Sequence, residues 1–142
     1  MSINNMNRKV AVFISGQGTN LQALVSASQQ KFIPIDIVLV VTNNKDAGGV
    51  QIANNANIPV FCLEDNDNKT REAYDNIILE QCRAKNVDLI ILAGWMRVLT
   101  GGFINNYINK IINIHPALPG KYPGTNAIKR AYDDFQEGKI KN

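Results

Sequence analysis

Short runs of branched apolar residues recur along this chain, and longer amphipathic stretches separate them. Residues 10–15 (VAVFIS), 35–42 (IDIVLVVT), 59–63 (PVFCL), 88–93 (DLIILA) and 111–115 (IINIH) are too short for buried helices and are bounded by turn-forming residues. Each predicts a strand. The intervening stretches predict helices over about 20–29, 48–56, 68–84 and 126–136, the last ending near Gly138. In the third of these, Tyr74, Ile77, Ile78 and Cys82 fall at helical spacing. Strands that are apolar on both sides and alternate with helices imply an α/β protein, a three-layer sandwich with a mostly parallel central sheet and right-handed crossovers. Ligands of such sheets bind beyond the carboxyl ends of the strands. The stretches 15–20, 42–45, 94–99 and 113–116 are therefore the places to look for function.

A length of 142 residues suits one domain spanning 1–142, without a repeat or a Pro/Gly-rich hinge to divide it. Hydrophobic residues make up 45% and charged residues 19%, a globular balance. The net charge of +3 comes with no basic run longer than Arg8-Lys9 and no interleaved aromatics, which argues against a nucleic-acid binder. No apolar stretch approaches membrane-spanning length, and residues 1–7 lack the apolar region of a signal peptide. Cys62 and Cys82 are too few for a disulfide framework, and with His115 as the one histidine no metal site is expected. The expectation is a soluble cytoplasmic protein that binds neither nucleic acid nor membrane, of undetermined oligomeric state. The chain ends at residues 139–142 just after a helix, where a further strand is expected, so the domain reads as truncated at its C-terminus.

Three constellations stand out. Residues 16–20 (GQGTN) lie between a strand and a helix, where glycines let backbone N–H groups converge on an anion and the helix adds its positive end. Asn20 departs from the dinucleotide fingerprint, and Thr42-Asn43-Asn44 lacks the acid that would hold an adenosine ribose, so a phosphate monoester fits better than NAD. The same residues also suit a tight turn with Asn20 as helix cap. At the end of the fifth strand, alternation puts Asn113 and His115 on one face, with Pro116 holding the histidine extended. An imidazole can shuttle a proton and an amide can donate to a carbonyl oxygen, although a hydrogen-bonded core pair is the plainer alternative. The segment 94–99 (GWMRVL) could line a slot for a flat heterocycle, but taken alone it reads as core. Serine-hydrolase chemistry lacks its G-x-S-x-G elbow, and both cysteines read as buried thiols.

Four segments in order, VAVFISGQGTNLQAL, NKTREAYD, DLIILAGWMRVL and INIHPALPGKYPGTNAI, resemble the phosphoribosylglycinamide formyltransferase family, the folate-dependent glycinamide ribonucleotide transformylases of purine synthesis. The resemblance implies a Rossmann-like N-terminal part, with the C-terminal part of the family fold absent from this chain. It implies that Gly18, Thr19 and Asn20 cradle the ribonucleotide phosphate. Met96, Arg97, Val98 and Leu99 would line the folate pocket, with Asn113 also touching folate and Arg71 meeting its glutamate tail. Asn113 and His115 match the catalytic pair. The family's third catalytic residue, a later aspartate, falls beyond Asn142, and neither Asp133 nor Asp134 takes its place. Leu118-Pro119-Gly120 stands where Leu-Leu-Pro is common.

The implied reaction passes a formyl group from 10-formyltetrahydrofolate, the cosubstrate, to the amine of glycinamide ribonucleotide in one-carbon and purine metabolism, without metal or covalent enzyme intermediate. The alternatives are another 10-formyltetrahydrofolate-using formyltransferase or hydrolase, a non-catalytic nucleotide-phosphate-binding domain and, more weakly, a nicotinamide-dependent oxidoreductase.

Overall fold

The computed structural model describes residues 7–64 and 69–114. In chain order it contains β1 (Arg8–Ile14), α1 (Thr19–Gln29), β2 (Ile35–Thr42), α2 (Gly48–Asn55), β3 (Val60–Cys62), α3 (Arg71–Ala84), β4 (Leu89–Ala93), α4 (Gly101–Asn106) and β5 (Ile111–Ile114). The strands form one sheet in the order β3-β2-β1-β4-β5, every neighbouring pair parallel. The expected α/β class and its parallel sheet are present.

The most apolar run takes the centre. Residues 10–14 of β1 are fully buried between β2 and β4, whereas the edge strand β3 keeps only half-buried or exposed side chains. Alternation divides β1 between two cores. Val10, Val12 and Ile14 pack with Leu21, Leu24 and Val25 of α1 and Ala53 of α2. Ala11 and Phe13 pack with Tyr74, Ile78 and Cys82 of α3 and Phe103 of α4. The chain therefore winds away from β1 over one face and returns over the other. Strand order reverses between β1 and β4, the point at whose carboxyl edge ligands of such sheets generally bind.

Several boundaries differ from the sequence expectation. The third helix begins at Arg71, because the Thr70 hydroxyl accepts the Ala73 N–H at 3.0 Å and caps it. Asn68, where the pattern would start it, lies outside the described residues, as does the helix expected at 126–136. Helix α4 was not expected from sequence. It is six residues long and opens on Gly101-Gly102, and the Thr100 hydroxyl caps it by accepting the Phe103 N–H at 3.3 Å.

Candidate functional site

The carboxyl edge of the sheet brings three of the expected segments into adjacent positions. The loop after β1 is followed by α1, whose N-cap is Gly18 in the left-handed region, with φ +88°. Among the described residues no side chain caps this helix, so the N–H groups of its first turn face the carboxyl edge. Thr19 is exposed and Asn20 half-buried. Asn20 is thus the second residue of the helix, and the alternative of Asn20 as helix cap does not hold.

Gly18 itself is buried, and it has a packing task. A Cβ placed there would lie 2.6 Å from the Gly49 Cα, and one on Gly48 would lie 2.7 Å from the Gln17 carbonyl oxygen. The start of α2 therefore presses directly on the loop after β1, with the Gly49 N–H donating to the Gly16 carbonyl at 3.4 Å. Gly48-Gly49 is the part of this arrangement that sequence reading missed, and the doublet in GGVQIANN is its only signal.

Beside β1, the loop after β4 starts at Gly94, also in the left-handed region with φ +85°. The reading of 94–99 as core is overturned for two of its five side chains. Met96 is 79% exposed and Val98 75% exposed, because the loop rides over the strand ends with no sheet neighbour above it. Trp95 and Leu99 turn inward against the α3–α4 core, Trp95 edge-on to Phe13 with ring centroids 5.2 Å apart. The two loops are joined, since the Ser15 hydroxyl accepts the Met96 N–H at 3.0 Å.

The first turns of α3 hold the same loop from its other side. Arg71 donates from Nη2 to the Val98 carbonyl at 3.3 Å. The Arg97 guanidinium lies 3.6 Å from the centre of the Tyr74 ring, a cation–π contact, and the Tyr74 hydroxyl donates to the Leu63 carbonyl. Asp75, buried at 2% exposure, accepts the Thr100 N–H on Oδ2 at 2.7 Å. Tyr74, Asp75 and Thr100 were not singled out as site residues. Their signal is the spacing of 71, 74 and 75, which share one helix face.

Asn113 lies on β5 opposite Leu92 of β4 and is exposed, while its neighbours Ile112 and Ile114 are buried against the other face of the sheet. His115 lies outside the described residues. Two buried polar atoms at this edge, Asn43 Oδ1 after β2 and Trp95 Nε1 after β4, have no hydrogen-bond partner among the described residues. Such atoms are uncommon in folded proteins, and at a strand's carboxyl end they suit contact with a ligand or further chain.

Neither cysteine looks like a nucleophile. Cys82 is fully buried, and that burial pushes its thiol up to about 12. Cys62, expected to be buried, is exposed on edge strand β3, and its thiol is raised by partial desolvation and then by Glu64. Among the described residues no group of three His, Cys, Asp or Glu is placed to hold a metal ion. No described helix is long and apolar enough to cross a membrane.

Comparison with known proteins adds sequence and fold relatives. Residues 8–138 match the family model described as formyl transferase. The chain is 41% identical to the phosphoribosylglycinamide formyltransferase of Dictyostelium discoideum, over 96% of this chain and 73% of that protein. It is 42% identical to the Haemophilus influenzae protein of the same name, covering 89% of this chain and 59% of that one. A 41% identity over 92% of this chain links it to 10% of the trifunctional purine biosynthetic protein adenosine-3 of Drosophila melanogaster. Among solved structures, glycinamide ribonucleotide transformylase 1 from Geobacillus kaustophilus superposes with a TM-score of 0.75 at 35% identity, over 89% of this chain and 68% of that one.

Proposed function

The chain belongs to the formyl transferase family, and from that premise we propose that it acts in phosphoribosylglycinamide formyl transfer. The donor in this reading is 10-formyltetrahydrofolate and the acceptor is the primary amine of glycinamide ribonucleotide. The observation that carries it is the junction of the two loops at the point where strand order reverses, Ser15 Oγ to Met96 N–H at 3.0 Å. It joins the glycine loop after β1 to the partly apolar loop after β4, an arrangement that suits a reaction between a phosphorylated amine and a flat heterocycle.

The amine nitrogen attacks the formyl carbon, a C–N bond forms and the carbonyl oxygen takes the electron pair. Asn113 donates its amide N–H to that oxyanion. The bond from the formyl carbon to the folate nitrogen then breaks, and the proton lost by the amine passes to that nitrogen, with His115 as relay. Gly18, Thr19 and Asn20 hold the phosphate through backbone N–H groups. Met96, Arg97, Val98 and Leu99 line the donor slot, with backbone groups of Arg97 and Leu99 reading the pterin edge. Arg71 meets the donor's acidic tail, a role supported by its bond to the Val98 carbonyl of the same loop. The chemistry is that of a cytoplasmic enzyme with two small-molecule substrates.

The test is formyl transfer by the chain and its Asn113→Ala variant, followed with calorimetric titration of each ligand. Removing one oxyanion donor lowers turnover on the order of 10²- to 10³-fold, with both affinities within a few-fold. Unchanged turnover removes Asn113 from the mechanism. Ribonucleotide binding without any transfer would favour the phosphate-binding alternative, and binding of neither ligand would sink the reading.

A further inference from the structure

We propose that Asp75 is a positioning residue of the formyl-donor site, holding the 95–100 loop against α3 so that its backbone keeps the shape the donor reads. The inference rests on the functional reading above and deepens it.

Asp75 is the one buried charged side chain among the described residues, at 2% exposure. Burying a carboxylate is unfavourable by several kcal/mol unless it is paired or hydrogen-bonded, so a position that merely filled the α3–α4 core would favour an apolar residue. Here the carboxylate accepts the Thr100 N–H at 2.7 Å, a short charge-assisted bond to the residue that both closes the loop and caps α4. The same helix face supplies two further ties, from Arg71 to the Val98 carbonyl and from the Tyr74 ring to the Arg97 guanidinium. Three positions of one loop are thus fixed to one helix through its backbone or a stacked cation. Met96 and Val98 are exposed, so their side chains do not help to fix this loop. A site that recognises its ligand through backbone groups needs them held to within about 0.5 Å, and Asp75 anchors the end of the loop that the Ser15 hydroxyl does not reach.

The experiment compares the full chain with Asp75→Asn and Asp75→Ala. Its readouts are calorimetric affinity for a non-transferable 10-formylfolate analogue and for glycinamide ribonucleotide, amide exchange over residues 96–100, and melting temperature. The asparagine keeps an oxygen acceptor but loses the charge, so donor affinity falls about fivefold. The alanine leaves the Thr100 N–H without its partner, so donor affinity falls about fiftyfold, on the scale of one charge-assisted bond. In both, ribonucleotide affinity stays within twofold and exchange quickens over 96–100 but not in β1. Unchanged donor affinity in a folded variant, even with a lower melting temperature, overturns the inference and leaves Asp75 a stability residue. An equal loss of both ligands overturns it too. Should the alanine variant not fold, the asparagine variant decides on the same criteria. A wild-type chain that binds no folate analogue sinks the functional reading and this inference with it, an outcome separable from a wild-type chain that binds with variants that do not differ.

Discussion

Gly16 and Gly18 stand two residues apart in one loop and answer to different constraints. Gly18 has φ +88° and would bring a Cβ to 2.6 Å from the Gly49 backbone, so it serves the contact between α1 and α2 as well as any ligand. Gly16 has nothing within 4 Å of its would-be Cβ. A substitution at 18 therefore tests packing and phosphate approach together, whereas one at 16 leaves the fold intact. Gly18→Ala is expected to destabilise by about 2 kcal/mol, from the left-handed backbone and the clash combined. Gly16→Val should leave the melting temperature unchanged while weakening ribonucleotide binding about tenfold, the order of one well-placed interaction lost. Thermal unfolding with titration of both variants checks this pair. A Gly18→Ala variant as stable as wild type would mean that α2 can shift away from the loop. The sequence pattern G-Q-G marks a turn and suggests an anion site but is blind to Gly49, which lies 31 residues after Gly18.

Among the elements, the stops of α1 and α3 fall where the sequence placed them, at Gln29 and Ala84, whereas most strand boundaries shift by a residue or two. The run 35–42 becomes β2 without change of boundary, because it is apolar at every position but Asp36 and Thr42 and is closed by Pro34 on one side and Asn43 on the other. The stops of α1, α2 and α3 are set by a device that sequence reading passed over. After each, a residue in the left-handed region closes a pair of backbone bonds: Lys31 (φ 59°), Asn57 (φ 60°) and Asn86 (φ 56°). The N–H groups of Phe32, Ile58 and Val87 reach back to the carbonyls of Ala27, Ala53 and Cys82, at 2.8, 2.9 and 3.0 Å. Asparagine tolerates this conformation and lysine does so less readily. Lys31 is exposed, and among the described residues no hydrogen bond of its side chain stands in the way of replacement. Lys31→Gly should therefore stabilise the chain by about 0.5–1 kcal/mol. A raised urea midpoint with unchanged slope is the expected reading, and a lowered midpoint would show that the lysine side chain contributes more than its backbone strain costs. Helix α4 escaped detection for the opposite reason. Gly101-Gly102 disfavours a helix locally, and the cap from Thr100 and the burial of Phe103 supply what propensity lacks.

At the scale of the whole molecule, periodicity was enough to read the parallel sheet and its carboxyl edge, since both follow from where apolar residues fall. It could not say which side of the sheet each helix covers or which loops meet, because those depend on strand order. The α3–α4 layer shows what this adds. It holds the loop after β4 through Arg71, Tyr74 and Asp75, and it buries two groups that ionise in the alkaline range. Burial raises the Cys82 thiol from 9.0 to about 12. Burial, then Cys82 and Asp88, raise the Tyr107 phenol from 10.0 to about 12 against the opposing Arg83, while its hydroxyl donates to the Val87 carbonyl at 2.9 Å. Both folded values lie above the unfolded ones. The unfolded chain therefore releases protons first, and the folded state loses stability as pH rises from about 9 toward about 12. Below 9 this contribution is complete and stability is flat with respect to these groups. By pH 11 the thiol alone should account for about 2 kcal/mol, at roughly 1.4 kcal/mol per unit of difference with allowance for relaxation. Urea unfolding at stepped pH checks the slope, and Cys82→Ala isolates the thiol. That variant should start less stable at pH 7 and lose less stability on going to pH 11. A variant whose alkaline slope matches the wild type's would show that Cys82 ionises in the folded layer without opening it.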